Sequence, residues 1–275
     1  MNQDPNQGPE VRGFAELIRI VRELRAKCPW DREQTLASLG KHLIEEAYEA
    51  ADAIAHGTPG AVADELGDLV TQGIFAGIVA EQTGQFTLAA MVDAAAKKLI
   101  RRHPHVYGDT RAETAGEVVA NWSRIKETER QAAGATSALD GVARALPALM
   151  RAEKLGARAR HAGMDWGDIH AVLAKVREEM DEVEGALARN DPDGAAAELG
   201  DMLLALANAP RFIGHSAEEV LRHACDKFTN RFRHVERIAA SRGLDLTRLA
   251  PERLEELWQA AKVIADKAAV NSNDE

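Results

Sequence analysis

The chain has 275 residues, of which 45% are hydrophobic and only 4% aromatic, and its formal net charge at pH 7 is −10. This length and apolar content suffice for the cores of two modest domains, and the scarcity of aromatic residues favours helices over strands. The acidic balance argues against the basic surface of a general nucleic-acid-binding protein, so we expect no direct nucleic-acid binding. An acidic protein can still bind a phosphate ligand when cations lie between the two sets of negative charge.

Cysteine usage and hydropathy indicate the compartment. Cys28 and Cys225 lie far apart and belong to no CxxC pair, which argues against a disulfide framework or a zinc site. Residues 1–10 contain no apolar run of the signal-peptide kind, and the apolar stretch at 69–80 is too short to span a bilayer. We therefore expect a cytoplasmic protein without membrane association.

The predicted elements, taken in chain order, are all helices. Apolar residues recur at helical spacing, and turns rich in proline and glycine separate the runs. In the first half the pattern predicts a structured loop at 28–31, a turn at 56–60 and helices over 13–27, 36–55, 61–82, 87–103 and 116–131. In the second half it predicts a loop at 163–166, a turn at 190–194 and helices over 146–161, 172–189, 195–209, 216–242 and 251–267. We predict an all-α fold with a first helical domain over 11–130, a linker over 131–146 and a second helical domain over 147–267.

An acidic pattern occurs twice along the chain, at an offset of 133 residues. In the first half it reads Glu45-Glu46-Ala47-Tyr48-Glu49, a turn, and Glu65-Leu66-Gly67-Asp68. In the second half it reads Glu178-Glu179-Met180-Asp181-Glu182, a turn, and Glu198-Leu199-Gly200-Asp201. A single acidic pair on a helix is usually a solvated face, but the doubled arrangement at matched spacing favours a function.

Helix geometry should bring these carboxylates together. Glu46 and Glu49 share one helix face, Glu65 and Asp68 share another, and the turn folds the two helices back at the same level. Facing carboxylates repel unless cations bind between them, and ligands that offer only oxygen select Mg²⁺, with Mn²⁺ as a substitute. We therefore predict metal ligands in both halves: Glu46, Glu49, Glu65 and Asp68, and Glu179, Glu182, Glu198 and Asp201.

Each half also carries a basic and aromatic set after its acidic hairpin. The members lie four residues apart in pairs, which places each pair on one helix face. Such a set can contact phosphates through its cations and stack a base on its indole, although cations near helix ends and a core tryptophan are equally ordinary. The substrate-binding candidates are Lys98, Arg102, Trp122 and Lys126, and Lys227, Arg231, Trp258 and Lys262.

These motifs together resemble the MazG family of all-α nucleotide pyrophosphohydrolases. The resemblance runs from about Phe14 to Lys262 and includes two-domain members. Besides the acidic pairs, it rests on Cys-Pro-Trp-Asp-x-Glu-Gln-Thr at 28–35, Arg-Arg-His-Pro-His-Val-Tyr at 101–107, Ser-Ala-Leu-Asp at 137–140 and Leu-Pro-Ala-Leu at 146–149.

The resemblance implies tandem helical modules whose four-helix bundle is completed by a homodimer. It also implies Mg²⁺-dependent hydrolysis of nucleoside and deoxynucleoside triphosphates to monophosphate and pyrophosphate, with broad base tolerance and a role in clearing aberrant nucleotides. The acidic set is intact in both halves, and the resemblance to two-domain members favours turnover in the second half. The catalytic candidates there are Glu178, Glu179 and Glu198.

Three other readings remain open at this point. The chain could sense Mg²⁺-nucleotide without hydrolysing it, or it could be a structural helical dimer with acidic faces. A carboxylate-bridged redox-metal bundle is disfavoured because neither acidic pair is followed by a histidine at Glu-x-x-His spacing. We expect His42 to be a surface or core residue rather than a ligand.

Overall fold

The computed structural model describes the backbone of residues 8–271 and the side chains of residues 8–265. Every regular element in this range is helical, which confirms the predicted all-α class. The chain divides into two compact units, one ending at Glu127 and the other beginning at Thr128. No helix in the described part of the chain is both long and apolar enough to cross a membrane.

The first unit is built around one long helical hairpin. Its second and third long helices pack along each other, and the first helix packs on the same hairpin. The core contains Val21, Leu39, Phe75 and Ile78. The helices are α1 Pro9–Lys27, α2 Pro29–Glu33, α3 Leu36–His56, α4 Pro59–Gln82, α5 Leu88–Arg102, α6 Pro104–Tyr107 and α7 Ala115–Ala132, the last of which continues past the end of this unit at Glu127.

The second unit repeats the hairpin and adds a pair of long helices. It contains α8 Ala148–His161, α9 Ile169–Ala188, α10 Pro192–Leu206, α11 Ala217–Ser241 and α12 Pro251–Asn271, with 3₁₀ turns at Pro210–Ile213 and Leu246–Arg248. Helices α9 and α10 form the hairpin, and α11 packs along α12. The α11–α12 core is formed by Val235, Ala239, Leu257 and Ala261.

Matching residues set the ends of both hairpins. Thr35 and Asp168, 133 positions apart, each accept a hydrogen bond from the backbone three residues on and so cap α3 and α9. Thr58 and Asp191 cap α4 and α10 in the same way, and each is followed by a proline that suits the first helical position. The carboxylate pairs therefore lie at the same level of each hairpin because both helices begin at fixed positions.

Two local predictions were wrong. Residues 28–31 do not form a loop, since Pro29 opens the short helix α2, and Arg25 donates to the main-chain oxygens of Asp31 and Gln34 to hold it. Helix α10 ends at Leu206 instead of continuing to residue 209. The Asn208 amide donates to the Leu204 carbonyl oxygen at 2.9 Å, so a side chain replaces the next backbone donor of the helix.

Candidate metal centre

The first hairpin brings three carboxylates together. Oxygen atoms of Glu46, Glu49 and Glu65 lie within 4.8 Å of one another. Glu46 is half-buried and accepts a hydrogen bond of 3.4 Å from Nε2 of Gln72, a neutral amide on α4. This cluster offers only oxygen donors, which is the chemistry that Mg²⁺ and Mn²⁺ prefer.

The second hairpin brings together the three equivalent carboxylates. Oxygen atoms of Glu179, Glu182 and Glu198 also lie within 4.8 Å of one another. Here the first glutamate is buried, with only 5% of the Glu179 side chain exposed. The Nζ atom of Lys175 lies 2.7 Å from Oε1 of Glu179 and 2.7 Å from Oε1 of Glu178. An ammonium group thus lies against the second cluster, one helical turn before Glu179.

The two aspartates predicted as fourth ligands lie outside these close groups. Asp68 and Asp201 are both exposed, one turn after Glu65 and Glu198 respectively. Asp68 still contributes to the charge that Glu65 experiences. The roles of Asp68 and Asp201 as ligands stay predictions. In this conformation, each described hairpin holds three carboxylates close together.

Burial and neighbouring charges raise the pKa of one glutamate in each cluster. Burial, followed by the negative charges of neighbours that include Glu49, raises the pKa of Glu65. Burial, followed by the charge of Glu182, likewise raises the pKa of Glu198. The hydrogen bond from Lys175 has the opposite effect and lowers the pKa of Glu179. Each cluster therefore contains a carboxyl that holds its proton more tightly than usual.

The raised pKa values predict an unusual pH dependence for the metal-free protein. A carboxyl whose pKa is higher in the folded than in the unfolded chain adds stability as pH falls through the folded pKa. Mild acidification from neutral pH towards the ordinary glutamate range should therefore raise the melting temperature. The Glu65→Gln/Glu198→Gln variant should lose this rise, and saturating Mg²⁺ should reduce it. An equal rise in the variant would assign the effect to other groups. The pKa of Glu179 is lowered, so the stability that its ionised carboxylate adds is lost only at lower pH, as the pH falls through the folded pKa.

The predicted substrate-binding residues of the second unit lie on the packed pair α11 and α12. Lys227 is exposed and Arg231 is half-buried on α11, whereas Trp258 and Lys262 are half-buried on α12. The Trp258 ring lies 5.4 Å from that of Phe228, and it packs on the core of this helix pair. Trp258 is therefore at least partly a packing residue.

The equivalent residues of the first unit lie on α5 and α7. Lys98 is exposed and Arg102 is half-buried at the end of α5. On α7, Nζ of Lys126 lies 4.5 Å from the centre of the Trp122 ring, and the His103 ring contacts the same indole edge-on at 5.3 Å. The spacing of four residues thus produces a cation–π contact within the chain.

Sequence reasoning missed Lys175, the cation that contacts the second cluster. Lys175 is four residues before Glu179, a spacing that favours an ion pair on one helix face, and this signal was available. At the equivalent position, His42 contacts Glu45 through Nδ1 at 3.0 Å and the Trp30 ring edge-on at 5.8 Å. His42 therefore contacts a residue beside the cluster.

Comparisons with known proteins match both halves of the chain to one domain family. Two segments, residues 34–107 and 168–236, match the MazG nucleotide pyrophosphohydrolase domain, and both carboxylate hairpins lie within them. A nucleoside triphosphate pyrophosphohydrolase of Escherichia coli strain K12 is 44% identical over 251 residues, covering 90% of this chain and 95% of the relative. The nucleoside triphosphate pyrophosphohydrolase/pyrophosphatase MazG of Thermotoga maritima is 37% identical, with the same shares covered. Since the domain occurs in both halves and these relatives align with nearly the whole chain, the protein belongs to the MazG nucleotide pyrophosphohydrolase family.

Proposed function

We propose that this protein is a Mg²⁺-dependent nucleoside triphosphate pyrophosphohydrolase that releases pyrophosphate from nucleoside and deoxynucleoside triphosphates. The observation that carries the proposal is the pair of three-carboxylate clusters, both inside segments that match the family domain. The relatives that align along most of the chain bear the name of this activity. Broad base tolerance and a role in clearing aberrant nucleotides are part of the same proposal.

The carboxylate clusters fit a divalent cation. All three close groups in each cluster are carboxylates, which supply oxygen ligands. In the second cluster the ammonium group of Lys175 contacts Glu179, so this cluster already attracts a positive charge. Glu179, Glu182 and Glu198 would hold the ion in the second unit, with Asp201 on the exposed side. Mg²⁺ bound there would neutralise negative charge on the triphosphate and lower the pKa of the attacking water. Mn²⁺ is the expected substitute.

The remaining residues of the second unit position the reactants. Glu178 is exposed beside the cluster and is the candidate that accepts a proton from the attacking water. Lys227 and Arg231 would bind phosphate oxygens, because cations on one helix face can follow a triphosphate chain. Lys262 lies one turn after Trp258 on α12 and would add to the same cationic surface.

The reaction products test this function directly. We expect dGTP and the other triphosphates to yield monophosphate and pyrophosphate in the presence of Mg²⁺, since the chain has no P-loop glycine run to hold a terminal phosphate. Separation of the products by chromatography distinguishes the possibilities. Diphosphate and orthophosphate as main products would contradict the proposal, and tight nucleotide binding without any product would indicate a sensing module instead.

Base tolerance depends on whether the indole of Trp258 stacks on the base. The Trp258→Ala variant should then lose about 1–3 kcal/mol of binding free energy for all four bases, because stacking reads a ring face and not an edge. Calorimetry with each nucleotide measures this loss, and thermal melting separates it from lost packing against Phe228. Unchanged affinity with a lower melting temperature would assign Trp258 to the core alone.

We further propose that the protein acts as a cytoplasmic homodimer. Each hairpin exposes large apolar side chains at helical spacing, and a surface of this kind typically packs against another helix pair. Two such hairpins would form the four-helix bundle of the fold class. The thiols of Cys28 and Cys225 are free, which suits a reducing compartment. The exposed apolar residues include Ile44, Tyr48, Leu66 and Val70 in the first hairpin, and Met180, Leu187, Leu199 and Leu203 in the second.

A further inference from the structure

The two carboxylate clusters differ in the charge of the residue that neighbours them. In the second hairpin, Lys175 contacts Glu179 directly with its ammonium group. In the first hairpin, the counterpart of Glu179 is Glu46, which accepts a hydrogen bond from the neutral amide of Gln72. The position equivalent to Lys175 is occupied there by His42, whose contact is with Glu45. The duplicated sites thus share their acidic groups but differ in the contacts of the first glutamate.

Burial explains why the second cluster contains this cation. The Glu179 side chain is 5% exposed, and an ionised carboxylate removed from water costs several kcal/mol unless an opposite charge lies close to it. The Lys175 side chain is 38% exposed, so its ammonium can leave the carboxylate and enter solvent without crossing the core. Lys175 can therefore exchange with another cation at Glu179.

We propose that Lys175 is a built-in counter-ion of the second cluster, which holds Glu179 in place without metal and competes with a divalent cation for it. Among the residues that the structure describes, no such cation contacts Glu46, and the first cluster therefore binds the free cation more tightly than the second. This inference rests on the proposed metal-dependent function. As a consequence, the first cluster should bind free cation at a lower concentration than the second cluster, where Lys175 opposes cation binding.

Titration of the full chain with Mn²⁺ tests the inference. The Glu49→Gln/Glu65→Gln background disables the first cluster, so that calorimetry reports on the second. In this background Lys175→Met should bind Mn²⁺ about tenfold more tightly, because it removes a unit charge a few ångströms from the site. Lys175→Arg retains the charge and should keep the weak binding. Lys41→Met is the matched control, since it removes the same charge from an exposed pair with Glu45 in the first hairpin.

Melting of the metal-free variants provides a readout that does not depend on activity. Lys175→Met should melt at a lower temperature than the Lys175→Arg variant and gain more from Mn²⁺, because Glu179 is then buried without its cation. If Lys175→Met does not fold without metal, Mn²⁺ should restore folding, and failure of that rescue overturns the inference. Unchanged or weaker Mn²⁺ affinity in Lys175→Met overturns it as well. No Mn²⁺ binding by the unaltered chain would instead overturn the metal-dependent function.

Discussion

Glu179→Gln/Glu182→Gln should remove nearly all pyrophosphate release, with kcat lowered on the order of 10²–10³-fold, the size expected for losing preorganised electrostatic groups. The two glutamates belong to the cluster whose first member is buried and held by an ammonium before any ligand arrives. The Glu179 carboxylate is therefore already in position when a metal ion replaces the ammonium, so its own reorganisation costs little. Helix α11 also runs without interruption through Lys227 and Arg231, so the candidate phosphate-binding cations of this unit share one rigid element.

The matched control is Glu46→Gln/Glu49→Gln in the first hairpin, and we expect it to retain most of the activity. Helix α5 ends at Arg102, directly before the turn that leads into Pro104, so the equivalent cations lie at a helix end. A displacement of about 1 Å can cost a hundredfold in rate. Both variants should first be shown to fold and to keep the same oligomeric state. Similar partial losses would mean that both units turn over, and the reverse pattern would place the enzyme in the first unit.

Leu39→Ala should lower the free energy of unfolding by roughly 2–5 kcal/mol, the range measured for large-to-small changes in a packed core. The Leu39 side chain is fully buried on α3, where it contributes to the core shared with Val21, Phe75 and Ile78. A typical domain has only about 5–15 kcal/mol in total, so this single change removes a large share of it. Denaturant unfolding at several protein concentrations measures the loss independently of association.

Val172→Ala is the matched change in the second unit, because Val172 is equally buried 133 positions later. It should cost less, roughly 2 kcal/mol, since Val→Ala removes two carbon atoms whereas Leu→Ala removes the three carbon atoms of the isopropyl group. Val119→Ala, on an exposed position of α7, should be nearly neutral. A Leu39→Ala cost no larger than that of Val119→Ala would mean that the first core can close around the cavity.

The helices and the acidic clusters could be predicted because their signals are local. Apolar spacing and proline or glycine turns set each hairpin, and the equal separation of Glu46 from Glu65 and of Glu179 from Glu198 fixed the level at which carboxylates meet. The family predicted from the motifs is confirmed by relatives that align along most of the chain. A duplicated pattern is informative because the same spacing is observed twice in one chain.

The parts that could not be predicted depend on contacts between side chains and on competing local signals. Proline both ends one helix and opens the next, so Pro29 was assigned to a loop although it begins α2. The early end of α10 depends on the amide of Asn208, a buried side chain that packs closely against Gly156 on α8. Likewise, the sequence places a lysine and a histidine at equivalent positions, but only the packed hairpins show that Lys175 contacts the buried glutamate directly.

The caps and prolines at the hairpin turns also bear on how the chain folds in time. Two residues connect α3 to α4 and three connect α9 to α10, so closing either hairpin needs only a short loop. Proteins dominated by such near-neighbour contacts fold quickly, in microseconds to milliseconds. We expect both acidic hairpins to form early, with their carboxylates brought together before the remaining helices dock. Divalent cations should therefore mainly accelerate refolding and change the unfolding rate little, whereas a site assembled last would mainly slow unfolding.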